Sequence, residues 1–113
     1  MAAIEIFSPQ SVEPWLVEFV NRMLSQLTSD FHPMQESDLE RLLDSESSQL
    51  YVISVDGVSV GMLTLCHYYA PTGCKAWVED VVVDSAYRGL GLGRRLIEHA
   101  LSQAQELSPC SVM

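Results

Sequence analysis

Glu79 and Asp80 stand side by side near the end of an apolar run, and eight residues further on the chain reads Arg88-Gly89-Leu90-Gly91-Leu92-Gly93-Arg94-Arg95. A carboxylate is a candidate proton acceptor, and alternating glycines flanked by guanidinium groups make a candidate anion cradle. Without a Cβ, Gly89, Gly91 and Gly93 admit positive φ and let successive backbone N–H groups turn toward a bulky anion. Arg88 and Arg94 add full charges at the two ends. If a helix opens on this loop, its first N–H groups lack intrahelical partners and its dipole adds partial positive charge at the same point. The fitting guest is a phosphate or a pyrophosphate.

Glycine spacing separates the phosphate-loop readings. A dinucleotide fingerprint needs G-x-G-x-x-G, but counted from Gly89 its last glycine falls on Arg94, and counted from Gly91 it falls on Leu96. A Walker A loop needs G-x-x-x-x-G-K-[ST], and the single lysine of the chain, Lys75, lies on the other side of the apolar run. A surface turn that merely caps a helix is the bland alternative. An apolar strand, this loop and an amphipathic helix in direct succession weigh against it.

The segment Arg88-Gly89-Leu90-Gly91-Leu92-Gly93, preceded by Trp77-Val78-Glu79-Asp80-Val81-Val82-Val83 and followed by Leu96-Ile97, resembles the signature of the GNAT superfamily of acyl-CoA-dependent N-acetyltransferases, Gln/Arg-x-x-Gly-x-Gly/Ala at a helix start. The resemblance implies an α/β (α+β) fold with a mixed, mostly antiparallel central sheet flanked by helices. It implies acetyl-CoA as the acyl donor. Arg88, Gly89, Leu90, Gly91, Leu92, Gly93 and Arg94 would then hold the CoA pyrophosphate, and Val81, Val82 and Val83 would offer backbone groups to the pantetheine arm.

Acetyl transfer to an amine needs a proton acceptor, because a protonated amine has no lone pair. Glu79 is the candidate base. Strand alternation puts it on one face with Val81 and Val83, and an apolar cleft would desolvate it into a better acceptor. Its bland reading is an ordinary strand-end carboxylate. Asp80 is expected to face the other way. A backbone N–H, at Val81, would stabilise negative charge developing on the thioester oxygen. Tyr68, Tyr69 and Tyr87 are candidate acids for the departing thiolate, but none stands at the position the family resemblance implies, and they read first as packing or substrate-wall residues. Cys66 and Cys74 show no neighbouring base, and His32, His67 and His99 are too dispersed for a metal site.

The elements that must position these groups follow from periodicity. Ile4 to Phe7 alternates like a strand, and Ser8-Pro9 ends it. Trp15, Leu16, Phe19, Val20, Met23, Leu24 and Leu27 recur at helical spacing behind Pro14. A second helix over 35–44 carries Leu39, Leu42 and Leu43, with acids on its other side. Between the two helices, Phe31 and His32 fall where the family resemblance places a loop over the acceptor site. Leu50 to Val55 and Val58 to Tyr68 are strands joined by Asp56-Gly57, the strongest short hairpin signal. Gly61 marks a bulge or a close backbone approach. Residues 70–75 read as a loop, Trp77 to Val83 as the central strand, and Leu96, Ile97, Ala100, Leu101 and Ala104 as one face of the long helix. Ser108-Pro109 ends that helix, and Cys110 to Met113 opens another strand.

Composition bounds the rest. The 113 residues, 48% of them hydrophobic, show no linker, so one domain over 1–113 is expected. A net charge of −9 argues against nonspecific nucleic-acid binding. Arg88, Arg94 and Arg95 make half of the six Lys and Arg residues, and an acidic protein with one basic site suits an anionic co-substrate there and, more weakly, a cationic amine acceptor. The acids between Glu36 and Glu46 also read simply as a solvated helix face. No apolar run approaches the ~20 residues of a membrane span, and no signal peptide is evident. A cytoplasmic protein with reduced thiols and no metal is expected. Against the GNAT pattern the chain stops before the closing third, so a truncated or partner-completed protomer, and a homodimer, are expectations too.

Two functions follow. The first is direct transfer of an acetyl group from acetyl-CoA to a primary amine of a small molecule or protein. The second is a noncatalytic acyl-CoA-binding or assembly module.

Overall fold

The computed structural model describes residues 2–106 and 111–112. Its strands are β1 (Ile4–Phe7), β2 (Ser48–Val55), β3 (Val58–Ala70), β4 (Gly73–Val83) and β5 (Ser111–Val112), and its helices are α1 (Pro14–Leu27), α2 (Glu36–Asp44) and α3 (Leu92–Glu106). They form one sheet in the order β1-β2-β3-β4-β5. The first four strands are antiparallel, and β5 runs parallel to β4 beside Lys75 and Ala76. This is the mixed, mostly antiparallel sheet flanked by helices that the sequence implies.

Each face of the sheet buries a different helical stripe. On one side Leu92, Leu96, Ala100 and Ala104 of α3, spaced four apart, pack on Ile53, Val60, Leu63, Leu65 and Ala76. On the other, Leu16, Phe19, Val20 and Met23 of α1 and Leu39 of α2 pack on Leu50, Val52, Met62 and Val82. Small residues at 100 and 104 let α3 lie close to the strands. The expected stripe of α3 is narrower than its sequence suggests: Ile97 and Leu101 are 41% and 43% exposed, because they sit a further 100° round the helix from the buried row.

The turns follow their chemistry. Asp56 and Gly57 both take positive φ, +50° and +83°, as a two-residue hairpin of matching twist demands. The expected loop at 70–75 is instead a tight turn at Pro71-Thr72, since Ala70 pairs with Gly73 and β4 begins there. Gly61 is the close approach its sequence position signals. A Cβ there would meet Ile53 Cγ2 at 2.9 Å and the Val82 carbonyl oxygen at 3.1 Å, and the register beside it slips at Ile53/Ser54.

The irregularity that matters most lies in β4. Thr64 pairs with Glu79 and Met62 with Val82, so Asp80 and Val81 together stand opposite Leu63. Asp80 takes φ +51°, the left-handed region that an aspartate tolerates better than most residues. The extra residue reverses the alternation of the strand. Val81 and Val83 pack with the α3 cluster and Val82 with the α1 cluster. Glu79 pairs with Thr64 and that residue with Leu50 of the α1 side, so Glu79 shares the face of Val82 and not that of Val81 and Val83. Unbroken alternation, the basis of the opposite expectation, does not survive the bulge.

Candidate functional site

The loop after β4 is fastened at both ends. Asp84 donates its N–H to Val60 O at 2.7 Å, accepts from Ala86 N through Oδ1 at 3.0 Å and from Tyr87 N through its carbonyl at 2.8 Å. This caps a short 3-10 turn over Ser85–Tyr87. From α1, Gln26 Oε1 accepts from Ser85 N at 2.8 Å, and Arg22 lies 3.9 Å from Asp84 Oδ2. Arg88 closes the arrangement by donating Nε–H to Val83 O at 3.1 Å, which ties the loop back to the last residue of β4. Sequence pattern alone does not point to Arg22 and Gln26. Only Asp84 carries a local signal there, an aspartate followed by serine at a strand end.

Beyond Arg88 the backbone turns through Gly89 at φ +85° and Gly91 at φ +76° into α3. Nothing lies within 4 Å of a Cβ built at either position, so these glycines are needed for their backbone conformation and not for space. Gly93 corrects the expectation of positive φ at all three glycines: it is already the second residue of α3, and a Cβ there would meet only Val83 Cγ2, at 3.8 Å. Arg95 is the first to close a helical bond, onto Gly91 O at 3.1 Å. The N–H groups of Leu92, Gly93 and Arg94 therefore have no backbone acceptor among the described residues, the state of a helix start that receives an anion.

A concavity of about 280 Å³ is lined here by Val83, Tyr87, Arg88, Gly89, Gly91, Leu92 and Gly93. Leu92 and Val82 are buried in the two cores, so only their backbone can face a ligand, whereas Leu90 is 64% exposed. Arg94 is exposed and paired with Glu98 at 3.0 Å, a bond of little energy at such exposure. A larger groove of about 790 Å³, between β1, α1 and the β2–β3 hairpin, shares no lining residue with the loop. Beyond Ala76 the outer edge of β4, through Val81 to Val83, has no neighbouring strand among the described residues.

The chain is also similar to known proteins. The pattern of the Acetyltransferase (GNAT) family matches residues 4–113. It belongs to the GNAT acetyltransferase family. No curated protein matches it in sequence. Among solved GNAT-like folds, glucosamine-6-phosphate N-acetyltransferase from Arabidopsis thaliana is 20% identical, with a TM-score of 0.77 over 97% of this chain and 79% of that one. An aminoglycoside acetyltransferase from an uncultured soil metagenomic sample, in complex with sisomicin, is 18% identical, with a TM-score of 0.79 over 99% and 75%. Ribosomal-protein-alanine N-acetyltransferase from Brucella melitensis biovar Abortus 2308 is 22% identical, with a TM-score of 0.75 over 97% and 77%.

Within this GNAT domain the sequence-derived residues fall into two groups. Val83, Arg88, Gly89, Gly91, Leu92 and Gly93 line one concavity. Glu79 stands apart from it, on the opposite face of β4 from Val81 and Val83. It is exposed and accepts the indole N–H of Trp77 through Oε1 at 3.1 Å, so the desolvation expected around it is not provided by the described residues. Cys66, opposite Trp77, is half-buried. Burial is the main cause that raises its thiol pKa, with Glu79 and Asp80 adding to the rise and Ser48 opposing it, so it is a poor nucleophile at neutral pH. Cys66 is free whereas Cys74 is disulfide-bonded, which corrects the expectation of three reduced thiols. Cys110 and Ser108-Pro109 lie outside the described residues. Among the described residues no group of three His, Cys, Asp or Glu side chains is arranged to hold a metal, and no helix is long and apolar enough to cross a membrane.

Proposed function

We propose that this GNAT domain, spanning 1–113, takes acetyl-CoA as donor and passes its acetyl group directly to a primary amine in the cytoplasm. The observation that carries the donor assignment is the loop: two glycines at positive φ lead into three helix-start N–H groups without a backbone acceptor among the described residues, with Arg88 and Arg94 beside them. Pyrophosphate is an anion that such N–H groups and guanidinium charges can hold. Val81 to Val83 lie between this cradle and Glu79, and their strand edge, which has no neighbour among the described residues, supplies backbone donors and acceptors for an amide-bearing arm.

The bound thioester supplies an acyl carbon open to attack by an amine. The protein residues orient the reactants and handle the proton. Glu79 takes the proton that the amine must lose, directly or through a water, and the Val81 N–H faces the oxygen on which negative charge develops. The acceptor is a small amine or a protein amine. Glucosamine phosphates, aminoglycosides and alanine amines of proteins are the first classes to try, because proteins of similar fold are named for glucosamine 6-phosphate, aminoglycosides and ribosomal-protein alanine.

The exposure of Glu79 favours one competing reading, a noncatalytic acyl-CoA-binding module. Thiol release from acetyl-CoA with glucosamine 6-phosphate, sisomicin or an alanine-ended peptide separates the two. The enzyme reading expects turnover with one of these amines, and in Glu79→Gln a fall of about a hundredfold or more with acetyl-CoA affinity retained. Binding of acetyl-CoA without turnover on any of the three amines supports the module.

A further inference from the structure

Glu79 is a flexible side chain on an open face of the sheet, and a base must lie within hydrogen-bond reach of the proton it takes. No cation among the described residues pairs with it. Its restraint comes from the same strand. Trp77, two residues earlier and on the same face, donates its indole Nε1–H to Glu79 Oε1 at 3.1 Å. The indole is itself held. Tyr68 packs edge-on against it with ring centroids 5.5 Å apart and planes at 62°, and Cys66 stands opposite it in register. On the far side of Glu79 the bulge begins at once, and the side chain of Val81 is turned to the α3 core, so β4 offers no second same-face neighbour at the usual spacing.

The geometry points to Trp77 as a positioning residue for the proton acceptor, an inference that rests on the reading of Glu79 as the base. The indole N–H engages Oε1 and leaves Oε2 to take the proton from the acceptor amine. Tyr68 fixes the plane of the indole and so, at one remove, the direction of the carboxylate. The proton passes from nitrogen to Oε2, and the Trp77 bond to Oε1 is kept throughout. Asp80, exposed in the bulge, and Cys66 are the other titratable groups coupled to this corner.

Trp77→Phe removes the N–H while keeping a ring against Tyr68. The first arm needs no acceptor. In the intact ¹⁵N-labelled chain the indole signal of Trp77, identified by its loss in Trp77→Phe, should move upfield and exchange faster with water in Glu79→Ala, while that of Trp15 stays in place. An unmoved Trp77 signal overturns the inference. The second arm is a double-mutant cycle on kcat with the amine that the screen above turns over. Trp77→Phe should lower kcat about tenfold with the KM for acetyl-CoA unchanged, and should cost nothing further in Glu79→Gln. Equal losses in both backgrounds would mean that Trp77 supports the fold and does not act through Glu79. Full turnover in Glu79→Gln would instead remove the base reading, and this inference with it.

Discussion

At the scale of single residues, the glycines of the loop separate conformation from space. Gly91 is held at φ +76° in open surroundings, whereas Gly93 lies in the helix with room for a methyl group. The two positions therefore answer different questions. Gly93→Ala should raise stability by about 1 kcal/mol, since glycine is a poor helix former. It should at the same time weaken acetyl-CoA binding, because the new methyl stands beside an N–H left free for the anion. Thermal melting and titration on the same variant check the opposed signs, and a variant both more stable and equally tight would remove Gly93 from the cradle. Asp80 is the third residue of consequence. Its left-handed φ costs about 1 kcal/mol for a residue with a Cβ, and that strain sits beside the proposed base.

At the scale of elements, much of the arrangement was legible, and the failures share a physical cause. The hairpin at Asp56-Gly57, the first strand and the strand-loop-helix order are local, written in turn residues and short periodicities. The β4 bulge is not local, because it is defined by two residues facing one across a neighbouring strand. Strand alternation alone therefore gives Glu79 its place in the strand but the wrong face. The α3 stripe shows the same limit. Leu96 and Ile97 are equally apolar, yet Leu96 is fully buried and Ile97 41% exposed, because the width of the stripe depends on the sheet it meets. Leu96→Ala should lose about 2–5 kcal/mol and Ile97→Ala less than about 0.5 kcal/mol in denaturant unfolding. Similar losses at both would contradict this packing. The ties from Arg22 and Gln26 to the loop after β4 are also tertiary, so no sequence pattern announces them.

At the scale of the whole molecule, an acidic chain gathers Arg88, Arg94 and Arg95 at one helix start beside an edge of β4 that has no neighbouring strand among the described residues, while a larger groove lies elsewhere. The charge pattern favours an anionic co-substrate at that single point and disfavours polyanions over the rest of the surface. Its attraction is partly long-range, so affinity should fall as salt is added. The central claim is that this loop holds the pyrophosphate of acetyl-CoA, and calorimetric titration of the 113-residue chain with acetyl-CoA tests it most directly, with NAD and ATP as controls and Gly91→Asp alongside. Selective, salt-weakened binding of acetyl-CoA that falls by more than about tenfold in Gly91→Asp is the predicted result, since the variant places a carboxylate and a strained φ in the cradle. Binding that is unchanged in Gly91→Asp, or a folded chain that prefers NAD or ATP, would contradict it.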